Sequence, residues 1–333
     1  MISRQRWVLA LTSVASLMVA LDILVVTTAL NTIRVDLDAS AAALEWTVNA
    51  YSLSFAVLLM TASVLGDRVG HRRVFISGLA VFTAASAACA LAPGISWLIV
   101  ARVVQGAGAA MIMPLALALL AAAFPAPQRA RALGVFSGVT GLAVLGGPLV
   151  GGAVTEGLAW QWIFWINVPI GVLTIPLVLR RIDKSVGVAA RFDVPGLALV
   201  SGGALGLVWG LVRGNTAGWS STEVIIALAA GTALLAAFVG WELRAREPML
   251  PMRFFRAPAF SAGNLAGFCL FGGVSGAAFF VAQFLQFTLG YGPLAAGLRM
   301  LPWTATLFVT APIAGTLVNR LGERPFIVGG LLL

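Results

Sequence analysis

The stretch SLMVALDILVVTTAL, residues 16–30, sets one carboxylate, Asp22, inside an otherwise lipid-soluble run. An Asp at the centre of a membrane helix costs roughly 2.5–3.5 kcal/mol on insertion scales. Something must offset that cost, or the residue must do work that justifies it. The apolar run around Asp22 extends over 7–30, enough for a helix to cross about 30 Å of hydrocarbon.

The rest of the chain repeats this pattern. Of its 333 residues, 60% are hydrophobic and 10% charged, with a mean hydropathy of +1.00. A soluble domain carries about 25% charged residues. The apolar residues come in blocks that predict ten complete spans, at 7–30, 46–65, 74–91, 97–122, 132–154, 163–179, 194–211, 224–239, 259–287 and 295–318. An eleventh begins at 326 and reaches residue 333. No polar stretch is long enough to bury a soluble core. The first block is too long for a cleaved leader and lacks a small-residue cleavage site. Cys89 and Cys269 fall inside apolar blocks, where packing is their ordinary role.

Charge orients the chain. If the spans alternate, seventeen of the 21 basic residues fall on one side. Only Arg34, Arg213 and Arg299 fall on the other, and Arg102 lies within a span. The positive-inside rule then makes the N-terminus cytoplasmic. The net charge of +9 is thus a topology signal. A nucleic-acid partner would need a basic patch on a soluble surface, and none is expected.

An internal repeat adds organisation. ASVLGDRVGHRRVF at 62–75 aligns without gaps on AGTLVNRLGERPFI at 314–327. Each copy lies between two spans at the basic side, and eight spans separate them, so the copies are parallel. Duplicated halves mark secondary transporters. The first half has six spans; the second copy reaches residue 333 three to four helices short of six. The expectation is a longer layout of six, two and six helices, seen here as ten helices and the start of an eleventh. The corresponding domains are a six-helix bundle at 1–182, two additional linker helices at 183–256 and an incomplete second bundle at 257–333.

LGDRVGHRR, 65–73, resembles the cytoplasmic loop motif of the major facilitator superfamily, with Ser63 at its first Gly and His71 at a usual Arg. LIVARVVQGAGAA, 98–110, resembles that family's helix-four motif with an intramembrane Arg, here Arg102. Gly134, Gly147, Pro148, Gly151 and Gly152 match its antiporter motif, with Ala143 where Gly is usual. LDILVVTTAL, 21–30, and WQWIFWINVPIG, 160–171, resemble the drug:proton antiporter branch with fourteen helices, Gln161 standing where Arg is common. The resemblance covers the whole chain. It implies an all-α, major facilitator fold. The implied activity is proton-coupled multidrug efflux. Asp67, Arg68, Gly70, Arg72 and Arg73 are implied to form a conformational latch between the two halves. Asn319 replaces Asp67 in the second copy, so only the first copy is expected to switch.

The residues also have a physical reading of their own. Asp22 lies fifteen residues in from Trp7, about 22 Å along a helix, and Arg102 about 7–8 Å from the Trp97 end of its span. Both then fall in the outer half of the membrane. Facing one cavity, each lowers the cost of the other, and such a carboxyl can bind and release a proton or compete for a cation. A purely structural ion pair is the rival reading. The glycines of helix five permit close helix approach, and Pro148 favours a kink. Asn49, Tyr51, Gln105, Met111, Met113, Gln283 and Gln286 are candidate cavity residues. Trp209 and Trp303 are candidates to pack on an aromatic substrate.

QGAGAAM, 105–111, follows no strand and lies within an apolar helix, so it is not read as a phosphate loop. No ligand cluster suggests a metal, no nucleophile–base pair suggests an enzyme, and no cofactor is expected. The expected partners are protons, a small-molecule substrate and the lipid bilayer, in a monomeric, multi-pass protein of the bacterial cytoplasmic membrane. Two alternatives stay open: export of a single endogenous metabolite, and a truncated remnant that does not transport.

Overall fold

A computed structural model describes residues 3–184, 187, 193–245, 248–291, 293–322 and 324–332. All regular structure among them is helical. The long helices are α1 (Ser3–Asp36), α2 (Ala41–Val69), α3 (His71–Ala90), α4 (Ile95–Ala123) and α5 (Ala126–Gly157). Two shorter pieces follow, α6 (Trp162–Trp165) and α7 (Asn167–Arg181). Then come α8 (Val194–Ala217), α9 (Thr222–Glu242), α10 (Pro258–Gln283), α11 (Pro293–Leu321) and α12 (Arg324–Leu332).

Each of the ten complete apolar blocks expected from sequence falls on one or two helices. Among the described residues, seven candidate spans are long and apolar enough to cross a membrane: Arg4–Thr27, Ala42–Val69, His71–Ala90, Ile95–Ala123, Trp162–Arg181, Val194–Ala217 and Thr222–Glu242. The blocks at 132–154, 259–287 and 295–318 correspond to α5, α10 and α11. The block at 163–179 is broken at Ile166 into α6 and α7. Pro169 has no N–H to give to the carbonyl one turn earlier, so the helical ladder has a gap there. The block at 259–287 ends in a π-turn, Phe284–Thr288.

Local chemistry sets the helix ends. Ser40 caps α2, its hydroxyl accepting from the Ala43 N–H at 3.3 Å. Gly70 ends α2 and starts α3 at φ 104°, and its N–H donates to the Gly66 carbonyl at 2.9 Å. That backbone angle is open to glycine and strained for any other residue. Asp193 caps α8 through the Gly196 N–H at 3.0 Å, and Gly218 closes it at φ 88°.

The chain divides into two compact units. One holds residues 1–32, 119–163 and 253–333. Within it α5 packs along α11. A Cβ on Gly315 of α11 would lie 2.8 Å from the Ala130 carbonyl oxygen of α5. The other unit holds residues 33–118 and 164–252. Its α3 packs on α2 and α7, and its α8 lies against α2 and pairs with α9. Small residues set these distances: a Cβ on Gly108 of α4 would come 2.6 Å from the Phe82 nitrogen of α3. A Cβ on Gly206 of α8 would come 2.8 Å from the Gly231 Cα of α9. Close backbone approach at small residues is how helices gain packing energy in lipid, where there is no hydrophobic drive between them.

Candidate functional site

Arg102 lies about two turns inside α4 and is 1% exposed. Its Nε donates to the Thr47 carbonyl of α2 at 3.0 Å, and its Nη1 to Gln105 Oε1 at 2.7 Å. Gln105 is fully buried one turn further along α4. Its Nε2 donates to Ser86 Oγ of α3 at 2.8 Å, and Ser86 Oγ donates to the Phe82 carbonyl at 2.8 Å. The Cys89 thiol also lies 3.6 Å from Gln105 Oε1. The Arg102 guanidinium sits over the Tyr51 ring, 4.2 Å from its centroid, and 5.8 Å from that of Phe164. A buried charge is tolerated only where hydrogen bonds and polarisable faces replace its water. Arg102 has both, from α2, α4 and α6.

This arrangement gathers three of the sequence candidates, Arg102, Gln105 and Tyr51. Ser86, Thr47 and Cys89 join them, and the sequence reading assigned none of these three a polar role. The available signal was the spacing of Arg102 and Gln105, three residues apart on one helix face. Met111 lies elsewhere on α4: a Cβ on Gly78 of α3 would meet its Cβ at 2.7 Å. Met113 is half-buried on α4. Asn49 lines a groove between α2 and α8. Trp209 is paired with Trp46, ring centroids 5.1 Å apart.

Asp22 is described in the other unit, 2% exposed on α1. Its neighbours along the chain meet the α5 glycines. A Cβ on Gly146 would lie 3.0 Å from Leu21 Cδ1, and one on Gly147 2.5 Å from Leu24 Cβ. Gly147 of the antiporter motif and its neighbour Gly146 therefore lie close against α1 on either side of the acidic residue. Gly134 is half-buried, while Gly151 and Gly152 are buried, and α5 stays helical through residue 148. The side chains of Pro148, Gln283, Gln286, Asn319 and Arg320 lie outside the described residues, as do Arg191 and Arg246.

At the α2–α3 junction the partner of Asp67 is His71, with Nε2 and Oδ1 2.8 Å apart. Arg72 reaches across to α7, Nη2 donating to the Leu179 carbonyl at 2.9 Å. Arg73 is exposed and Arg68 half-buried. His71, given no role in the latch from sequence, is the residue that meets its acid.

Among the described residues the regular structure is helical, with polar groups buried in helices long and apolar enough to cross a membrane, which is the class of multi-pass membrane proteins. Residues 12–333 match the Major Facilitator Superfamily model, and the chain belongs to that family. It is 39% identical to the tetracenomycin C resistance and export protein of Streptomyces glaucescens over 96% of its own length and 60% of the relative's. It is 37% identical to the multidrug resistance protein Stp of Mycobacterium tuberculosis, again over 96% and 60%. It is 38% identical to the cephamycin export protein CmcT of Amycolatopsis lactamdurans over 97% and 68%. The chain thus spans about 60% of the length of the first two relatives. The proton:xylose symporter XylE shares the fold at a TM-score of 0.63 and 14% identity, over 97% of this chain and 71% of that one. The protein is a multi-pass membrane protein of a transporter family, and its relatives are antibiotic and multidrug exporters.

Proposed function

We propose that the chain acts in proton-coupled export of hydrophobic or cationic small molecules, exchanging them for protons across the bacterial cytoplasmic membrane. The observation that carries this reading is Asp22, an acidic residue buried in a membrane span and flanked by the glycine contacts of α5. A carboxyl kept from water and then presented to each side in turn couples proton movement to a conformational cycle. Arg102, a buried positive charge in α4, is the second residue of the proposed coupling. Asp67 with His71 and the Gly70 hinge serves as the latch of the cycle, and the N-terminus lies in the cytoplasm.

Inside-out vesicles carrying the protein test this. A proton gradient is imposed, and cationic dyes and antibiotics are added. Dissipation of the gradient by some compounds, lost in Asp22→Asn, is the expected result. Dissipation unchanged by the substitution refutes the proton site. A second reading, export of one metabolite, is favoured by relatives named for single antibiotics, tetracenomycin C and cephamycin. It predicts a response to one compound class and to no dye.

A further inference from the structure

The groove between α2 and α8 has no part in the export cycle described above. It has a volume of about 360 Å³ and is lined by Glu45, Asn49, Val208, Leu211, Val212 and Asn215. That volume falls at the small end of the range of small-molecule sites. The two helices are joined deeper along their length, where Ser201 Oγ donates to the Val57 carbonyl at 3.3 Å and lies 3.3 Å from Thr61 Oγ1. They meet again at the Trp46–Trp209 ring pair. The groove spans that pair, with Asn49 and Val208 on one side of it and Glu45 and Asn215 on the other. Glu45 is near the start of the candidate span Ala42–Val69 and Asn215 near the end of Val194–Ala217, so the groove lies at the same end of two membrane-length helices.

Its chemistry is two-sided. Glu45 brings a carboxylate, and Asn49 and Asn215 each bring an amide oxygen. Three acceptors match the three N–H donors of a primary ammonium. The α8 wall is apolar, and it continues into the exposed side chains of Leu205, Trp209 and Leu211. A ligand with a cationic head and a hydrocarbon tail satisfies both sides. We infer that this groove binds the ammonium headgroup of an aminophospholipid of the phosphatidylethanolamine class, its acyl chain lying along α8. The inference does not depend on proton coupling or on the exported substrate. It gives the added pair α8 and α9 a role: with α2 they form a lipid-reading surface.

Native mass spectrometry of the protein released from nanodiscs tests the site. The discs contain equal parts phosphatidylethanolamine, phosphatidylcholine and phosphatidylglycerol. The expected result is preferential retention of one phosphatidylethanolamine. Choline lipid is disfavoured because its quaternary head has no N–H to donate, and glycerol lipid because its head is anionic. Glu45→Gln, at an exposed position, leaves the fold intact by circular dichroism. It lowers phosphatidylethanolamine retention roughly tenfold, the effect of losing one charge-assisted hydrogen bond. Equal retention of the three lipids overturns the inference, as does unchanged retention in Glu45→Gln. Displacement of the bound lipid by tetraphenylphosphonium in the wild type also overturns it, assigning the groove to an organic cation instead.

Discussion

Arg102 shows how one residue can be costly alone and stable in company. Its guanidinium gives two N–H groups to fixed acceptors 2.7 and 3.0 Å away and rests on an aromatic face. Lysine has the charge but not the planar fork. Arg102→Lys is therefore expected to lose about 1.5–3 kcal/mol of stability, the worth of a hydrogen bond to a charged group, read as a lowered thermal midpoint in detergent. Gln105→Leu removes the amide that joins Arg102 to Ser86. The two substitutions should not add: a double-mutant cycle is expected to give a coupling of about 0.5–3 kcal/mol, and additivity would show that the two side chains act independently. The candidates Arg102, Gln105 and Tyr51 were legible because polar and aromatic groups in apolar runs stand out by composition. Their partners Thr47, Ser86 and Cys89 were not. Thr47 serves through its backbone carbonyl, which any residue there would offer, and Ser86 Oγ also bonds its own helix at the Phe82 carbonyl, so nothing in the sequence says which of them looks at a neighbour. His71 stands where the loop motif usually has Arg, and only its four-residue spacing from Asp67 marks it as the partner of that acid.

Elements meet in this protein where side chains are absent. Gly147 of α5 leaves room for Leu24 of α1, and Gly147→Val would push α1 away beside Asp22. The expected cost is about 1–3 kcal/mol, typical of overpacking, with export falling further than stability because the displaced helix carries the acidic residue. A thermal midpoint and a transport rate measured on the same preparation check this. At Gly70 the constraint is backbone angle. Gly70→Ala forces a side chain into φ 104°, at about 1–3 kcal/mol, and should be the more harmful of Gly70→Ala and Arg73→Ala, since Arg73 is exposed. The helices themselves were legible as apolar blocks, because a span must be apolar along its whole length, but many run several residues past those blocks into polar ends that hydropathy does not register. The break at Ile166 was not foreseen, although Pro169 is its visible cause: a hydropathy block registers composition and passes over a missing donor.

For the whole molecule, the distribution of Arg and Lys predicts orientation, and reporter fusions in a bacterial host measure it. Alkaline phosphatase joined after Gly218 is expected to be active, and joined after Lys184 inactive. The reverse pattern would invert the topology and remove the cytoplasmic assignment of the Gly70 loop. The pairing of α8 with α9 bears on how such a chain enters the bilayer. Only four residues, 218–221, separate the two helices. Arg213 and Glu223 hold hands across that turn at 3.1 Å, and the glycine contacts bring the two backbones together along their length. Each helix therefore finds its closest neighbour within seconds of leaving the ribosome, at about 5–20 residues per second, without waiting for any later part of the chain. The pair is built to enter the membrane as one hairpin, which makes it a self-contained module that a gene could gain or shed while the helices around it keep their order of synthesis.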